Sequence, residues 1–254
     1  MEIVSLDEIE ISKFRKKGDL AFRKKYFAKA LKAYQNLSDV DPDASEPFFL
    51  KGNALAARKK YQEAIEEYDK AINNEGKPSP SDSNWPDWII DFNLVTCHYN
   101  KGNAYAALEE YQNAIDDYEE TLNIALDEQD DLCNKLIRDT HYNKGNSHFL
   151  LNEFDKAYES FSLSGLRSQA LLGMGNSKLK LGEYLEALEN YDKGKELAPK
   201  RSAVSCYKNA LLANKLIQAD CPNPMTFTGN TGNFGNWGFG KGYKGLPGIE
   251  VSLN

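Results

Sequence analysis

The amino-acid sequence predicts an all-α fold, a solenoid of about five helical hairpins, because one pattern of small and aromatic residues recurs along the chain. Its fullest form, His98–Ala104, returns almost unchanged at residues 141–146. The glycines at the centre of the five copies are Gly18, Gly52, Gly102, Gly145 and Gly175. Each glycine is followed by an alanine after twelve residues and by an aromatic residue after sixteen. Small residues let two helices approach closely, and since one hairpin cannot bury its own apolar face, successive hairpins are expected to stack.

This pattern resembles the tetratricopeptide repeat, a helix–turn–helix unit of about 34 residues. The resemblance covers roughly residues 11 to 201. It implies a right-handed superhelix whose first helices line a concave groove, and it implies a function in binding proteins or peptides. On this basis the solenoid spans residues 5–220, followed by a tail at 222–254. The repeats are placed at about 11–44, 45–78, 95–128, 138–167 and 168–201, with a capping helix at 201–219.

Both ends of the solenoid are assigned from apolar residues at helical spacing. The first helix is predicted to end at Arg23 and to bury Ile9, Phe14 and Leu20. The capping helix is predicted to cover the last repeat with one apolar face. That face comprises Val204, Tyr207, Leu211, Leu212 and Leu216.

The spacing between the repeat glycines departs from 34 residues at three places, and between the third and fourth glycines it is 43 residues. Between the second and third glycines it is 50 residues instead of 34, so the first helix of the third repeat should begin about two turns early. The insertion contains a proline- and serine-rich loop, residues 77–83, and then Trp85 and Trp88, which either anchor a partner or pack internally. Between the fourth and fifth glycines the spacing falls to 30, which predicts a shortened second helix that ends near Gly165.

Charge is distributed unevenly along a chain whose net charge is -7. Nine basic residues and one acidic residue, Asp19, occur from Lys13 to Lys32. No lysine or arginine lies between Lys101 and Lys135, where ten acidic residues occur. This polarity could steer a dipolar partner or join copies head to tail. The alternative function is therefore a structural assembly protein that oligomerises through its charge-polarised ends.

Several classes of function are disfavoured by what the sequence lacks. The acidic net charge argues against nucleic-acid binding. The sequence contains no run of about 18 apolar residues, so no membrane span is expected. The three histidines and four cysteines show no metal-ligand spacing, and no phosphate-binding loop or nucleophile motif is present. We therefore expect no catalysis, no cofactor and no metal. The N-terminus lacks a signal-peptide profile, which favours a cytoplasmic protein.

The residue after each repeat glycine is polar, and the resemblance places it in the groove. A carboxamide donates and accepts at once, so a row of asparagines can clamp the backbone of an extended peptide. The row resembles the asparagine ladder of the protein O-GlcNAc transferase repeats and of kinesin light chains. The competing interpretation is that asparagine is simply common at this position of the repeat. The candidate peptide-binding residues are Asn53, Tyr99, Asn100, Asn103, Tyr142, Asn143, Asn146 and Asn176.

Chaperone adaptors of the same repeat family grip acidic C-terminal peptides with a dicarboxylate clamp of lysine, asparagine and arginine. None of the three possible windows in this chain supplies the paired cations, and one places Asp139 where a cation is needed. A carboxylate buried without them would cost several kcal/mol. We therefore expect a protein or extended-peptide partner, but not the C-terminal tails of Hsp70 or Hsp90.

Residues 222–254 belong to no repeat and are rich in glycine, asparagine and aromatic residues. A Gly-Asn pair recurs three times, ending at Asn230, Asn233 and Asn236, and five aromatic residues lie among the glycines. Such a tail is typically disordered or faces a partner. The aromatic content also suggests an intramolecular ligand that folds back into the groove, where glycine permits a close backbone approach.

Overall fold

The computed structural model describes residues 6–74, 87–125, 131–197 and 203–219, and within these ranges the chain forms eleven α-helices and no β-strand. The first helices of the five hairpins are α1 (Leu6–Arg23), α3 (Ser45–Ala57), α5 (Asp87–Ala107), α7 (Asp131–Leu150) and α9 (Ser168–Leu181). The second helices are α2 (Phe27–Val40), α4 (Tyr61–Asn73), α6 (Tyr111–Ala125), α8 (Phe154–Leu163) and α10 (Tyr184–Leu197). Among the described residues, one more helix, α11 (Ala203–Ala219), comes after them.

The helices form two compact units, one containing α1–α6 and the other containing α7–α11. Within the first unit each helix packs against the next along the chain, from α1 to α6. The second unit repeats this order, and its last contacts join α11 to α10 and α9. The predicted all-α fold of stacked hairpins with a terminal helix is thereby confirmed for the described residues.

The contact between glycine and aromatic ring is the unit from which each hairpin is built. A Cβ atom added at Gly52 would lie 2.5 Å from the ring of Tyr68, which is closer than van der Waals contact allows. The other four hairpins repeat this contact, and Phe161 also covers Gly173 of the following hairpin. The five repeat alanines are fully buried beside the rings. The close helix approach predicted from these small residues is confirmed.

The turn inside each hairpin contains one residue in the left-handed backbone conformation, which was not predicted from the sequence. The residue seven positions after the repeat glycine has a positive φ in all five hairpins. These residues are Lys25, Lys59, Glu109, Asn152 and Gly182, with φ values between 62° and 83°. Four of them carry side chains, which are disfavoured in the left-handed region, and only the last is the glycine expected there.

Two assignments of buried residues at the ends of the chain are wrong. Ile9 and Leu20 of α1 are 53% and 54% exposed, so they lie on a face of the helix that no described helix covers. The buried side chain on α1 is Ile11. On α11, Tyr207 and Leu211 are each 60% exposed. The helix instead turns Cys206, Ala210, Leu212, Ala213 and Leu216 inward.

The helix boundaries reflect the irregular spacing of the glycines. Helix α5 begins at Asp87, about two turns before residue 95, as the longer spacing predicts. Helix α7 begins at Asp131, seven residues before the expected repeat start at 138. Helix α8 has only ten residues and Gly165 comes after it with φ +85°, in agreement with the shortened spacing. The predictions for loop 77–83, for the tryptophans at 85 and 88 and for the tail fall outside the residues or side chains that are described.

Candidate functional site

The polar residue after each repeat glycine makes a hydrogen bond inside its own hairpin. We call Asp19, Asn53, Asn103, Asn146 and Asn176 the rung residues. In four hairpins a tyrosine hydroxyl of the second helix donates to the Oδ1 atom of the rung residue over 2.9 Å. The tyrosine always lies fifteen residues after the rung residue. Each rung in these four hairpins therefore links the two helices of its own hairpin, a role that the sequence interpretation missed.

Two rung residues also accept a hydrogen bond from the next helix layer. The Nδ2 atom of Asn100 on α5 donates to Oδ1 of Asn53 over 3.0 Å. The Nδ2 atom of Asn209 on α11 donates to Oδ1 of Asn176 over 2.9 Å. A rung oxygen with two donors is fully used, since an amide oxygen has two lone pairs. These bonds connect one hairpin to the following layer.

The fourth hairpin lacks both donors. Phe161 replaces the tyrosine and has no hydroxyl, and Gly173 occupies the repeat position that Asn100 has in the third hairpin. The Asn146 side chain is completely buried, and it interacts with the Tyr142 hydroxyl, whose pKa burial raises and Asn146 lowers in part. Its oxygen has no hydrogen-bond donor within the described part of the chain, which is costly for a buried group and distinguishes this rung from the other four.

The structure places most of the predicted peptide-binding residues below the surface. Asn103, Asn143 and Asn146 have no exposed area, and Asn53 is half-buried. The remaining four are 8% exposed or less: Tyr99, Asn100, Tyr142 and Asn176. The ladder thus contributes to the packing of the hairpins, and its contact with a peptide stays a prediction.

The two predicted tyrosines extend this aromatic layer. The ring of Tyr99 lies 6.3 Å from that of Tyr118, and Tyr142 lies 5.6 Å from Phe161, measured between ring centroids. The guanidinium carbon of Arg167 stands 4.8 Å above the Tyr142 ring. Burial raises the pKa of the Tyr142 hydroxyl, Asn146 and Arg167 lower it, and the net shift is upward.

A pocket of about 190 Å³ opens between α1, α2 and α3 in the first unit. Its lining combines two charged groups, one carboxamide and three largely apolar side chains. These residues are Asp19, Phe22, Arg23, Tyr34, Leu50 and Asn53. The pocket therefore contains the first two rung residues. Burial, followed by the nearby Asp19 carboxylate, raises the pKa of Tyr34, so that Tyr34 remains the donor in their hydrogen bond.

Charged side chains also connect neighbouring hairpins. Lys101 on α5 pairs with Asp69 on α4 at 2.8 Å and lies 3.5 Å from Asp117 on α6, which His98 contacts at 2.9 Å. Burial lowers the pKa of Lys101, but the hydrogen bond to Asp69 and the nearby carboxylates outweigh it, and the net shift is upward. Each of these groups has a structural partner, so none requires a substrate. Among the described residues, no group of three or more His, Cys, Asp or Glu is arranged to hold a metal ion.

Comparison with known proteins supports the repeat assignment. Models of the tetratricopeptide repeat match residues 15–83, 95–125 and 168–201. No curated protein matches the chain. Across the described residues, no helix is both long and apolar enough to cross a membrane.

Several solved structures share the fold at low sequence identity. The crystal structure of MamA is 21% identical with a TM-score of 0.59, and the match covers 74% of this chain and 91% of MamA. YrrB, described as a TPR protein with an unusual peptide-binding site, is 17% identical with a TM-score of 0.57, covering 78% and 89%. The apo form of RapI is 20% identical with a TM-score of 0.64, covering 85% of this chain and 67% of RapI. At these identities the similarity concerns the fold.

Proposed function

Because the chain belongs to the tetratricopeptide repeat family, we propose that it is a non-catalytic scaffold that binds an extended peptide segment of a partner protein. The ligand lies along the first helices of the hairpins and is held by polar contacts to its backbone. The observation that carries this proposal is the set of rung residues that keep exposed area, Asp19, Asn53 and Asn176, because the completely buried Asn103 and Asn146 cannot touch a ligand. YrrB, which shares the fold, is itself a protein with a peptide-binding site.

The internal hydrogen bonds define what the ladder offers to a ligand. The oxygens of Asn53 and Asn176 each accept two bonds from the protein, so the amide nitrogens are the atoms that contact the peptide. An amide nitrogen donates, and its natural partner in a ligand is a backbone carbonyl. Recognition of carbonyls is independent of the ligand's side chains, which suits an extended segment of varied sequence.

The experiment exchanges each donating nitrogen for an oxygen. Asn53→Asp and Asn176→Asp keep the acceptor for the internal bonds, as Asp19 does for Tyr34, but remove the donor. Partners captured from the native cell lysate by the full chain should be lost with the double variant. Circular dichroism and the unfolding temperature verify that both proteins are folded. Capture of the same partners by a folded double variant would refute recognition through the ladder.

The C-terminal tail, residues 222–254, is proposed to occupy the same site in the absence of a partner. A flexible chain of this length reaches roughly 30 Å. Tethering gives an effective concentration of about millimolar, which suffices to fill a weak site. Deleting the tail should raise partner capture several-fold. Backbone NMR order parameters provide the direct measurement, and uniformly mobile values from Phe234 to Tyr243 would end this part of the proposal.

Self-assembly is the second candidate, and the charge of the first unit favours it. The α1–α2 hairpin exposes Lys16, Lys17 and Lys24, whereas α6 exposes Asp116 and Glu119. Opposite charges on the first and third hairpins can join copies in series. Light scattering at low and high salt separates the candidates, since charge-driven oligomers dissociate as salt rises. A monomer at every salt concentration leaves the scaffold as the function.

The same proposal includes a cytoplasmic location and the absence of a nucleic-acid partner. The buried residues Cys97, Cys133 and Cys206 form no disulfide within the described part of the chain, which fits a reducing compartment. The first-unit pocket places Asp19 beside its cation Arg23, so it offers no paired cations for an acidic chaperone tail.

A further inference from the structure

The junction between the first and second hairpins differs from the junctions at which a rung receives an asparagine. Asn100 supplies the second donor to Asn53, and Asn209 supplies it to Asn176. In the second hairpin the residue at the repeat position of Asn100 is Leu50, whose side chain cannot donate. Beside Leu50 lies the pocket of about 190 Å³.

We propose that this pocket binds a carboxamide side chain, asparagine or glutamine, of the peptide that the scaffold carries. The ligand then supplies to Asp19 the donor that the protein supplies to Asn53 and Asn176 internally. This inference rests on the proposed function and adds a side-chain preference to it. The pocket is smaller than sites for drug-sized molecules, which measure about 300–1,000 Å³, and its size suits one side chain.

The lining offers an acceptor for the NH₂ group of a carboxamide and donors for its oxygen. Tyr34 uses one oxygen of Asp19, and a carboxylate accepts several hydrogen bonds, so capacity remains for the ligand's NH₂ group. The exposed Arg23 guanidinium and the nitrogen of Asn53 provide donors for the ligand's amide oxygen. The methylene groups of the ligand lie against Phe22 and Leu50.

The two opposite charges decide against a charged ligand side chain. A lysine would be attracted by Asp19 but repelled by Arg23. A glutamate would be attracted by Arg23 but repelled by Asp19. A neutral group with one donor and one acceptor satisfies both charges at once. An aliphatic side chain would fill the volume but would cover Asp19 without a hydrogen bond, which is unfavourable.

Two sources can deliver such a side chain, an external partner or the chain's own tail. The tail contains Gly-Asn three times within residues 229–237. A neighbouring glycine lets the peptide backbone approach the helices closely. The chemistry of the pocket is the same for both sources, so the experiment includes an arm for each.

The probe is a synthetic peptide with the sequence of residues 229–237, titrated into the full-length protein by NMR or fluorescence. We expect binding to weaken about tenfold or more when the three asparagines of the peptide are replaced by alanine or by aspartate, corresponding to the loss of one hydrogen-bonded side chain. Leu50→Asn should weaken the binding by a similar factor, because it places an internal carboxamide beside Asp19. Leu50→Met is the matched control and should bind as the wild type does.

A second protein identifies the source. In the full chain with Asn230→Ala, Asn233→Ala and Asn236→Ala, the peptide should bind several-fold more tightly than in the wild type if the tail occupies the pocket. Equal affinity assigns the pocket to an external partner, and both results support its chemistry. Equal binding of the alanine peptide, unchanged binding by a folded Leu50→Asn variant, or no binding to either protein at millimolar peptide would overturn it. Continued partner capture in those cases would show that the scaffold function stands without this pocket.

Discussion

Replacing Phe161 by tyrosine should stabilise the protein, because the substitution supplies the hydroxyl donor that the fourth hairpin lacks. Phe161 has the same spacing from Asn146 that each tyrosine has from its rung residue. Its ring lies 2.8 Å from the Cβ position of Gly145, and the ring of Tyr118 lies 2.7 Å from that of Gly102. The two rings are therefore similarly placed, and a hydroxyl on the first should reach the rung.

The size of the effect depends on the present state of Asn146. Its buried amide oxygen has no hydrogen-bond donor within the described residues, a condition that costs about 1–3 kcal/mol. One hydroxyl satisfies a single lone pair and must itself leave water, so we expect a net gain of about 1 kcal/mol. In domains of 150–250 residues a change of this size shifts Tm by roughly 2–4 °C.

Thermal and urea unfolding, monitored by circular dichroism, measure this gain. The same substitution in an Asn146→Ala background is the control, because no amide oxygen is then present to accept the bond. Tyr118→Phe is the reverse change and should cost about 1 kcal/mol, since it removes one donor from the buried Asn103. A gain of equal size in the Asn146→Ala background would show that the hydroxyl acts elsewhere and would refute the reasoning.

Three further changes test the packing and the charges. Gly52→Ala should destabilise the protein by about 1–3 kcal/mol, because the new methyl group would overlap the Tyr68 ring; an unchanged urea midpoint would contradict this. Glu67→Gln should cost about 3 kcal/mol, because it leaves the Lys51 ammonium, paired at 2.8 Å and only 8% exposed, without its carboxylate; a loss below about 1 kcal/mol in urea unfolding would show that this pair matters little. Burial lowers the pKa of His141, so below the ordinary histidine pKa of about 6.5 the unfolded chain binds a proton that the folded chain does not. Stability should therefore fall as pH drops from about 7 to 5, and His141→Phe should flatten the slope; identical slopes in the two proteins would exclude this histidine as a source.

The hairpin core could be predicted from sequence because every repeat has a glycine, an alanine and an aromatic residue at the same spacing. The glycine, the alanine and the ring define a steric contact that depends only on local spacing, and Gly52 with Tyr68 shows it directly. At the ends of the chain the same reasoning was wrong for Ile9 and Tyr207. Helical spacing gives the faces of a helix, but which face is buried depends on the helices that pack against it.

The site was only partly predictable. Repeat position alone predicts that the rung asparagines face a ligand, because it leaves out the tyrosine hydroxyl that can bind each of them. The signal for their internal bonds was present, since a tyrosine lies fifteen residues after Asn53 and again after Asn103. The positive φ at Lys59 and Glu109 could not be recognised from residue type, because lysine and glutamate are not typical of that backbone conformation.

The hydrogen bond from Asn209 to Asn176 bears on how the number of hairpins in such a chain can change. A lone helix, α11, presents to the last rung the same donor that a whole hairpin presents through Asn100. The rung oxygen can therefore accept the same hydrogen bond from a hairpin or from a single helix. The next helix only has to place an asparagine side chain within hydrogen-bond distance of the rung. A hairpin that carries this asparagine also carries a rung residue. Its duplication would therefore copy the hydrogen-bond donor together with the acceptor.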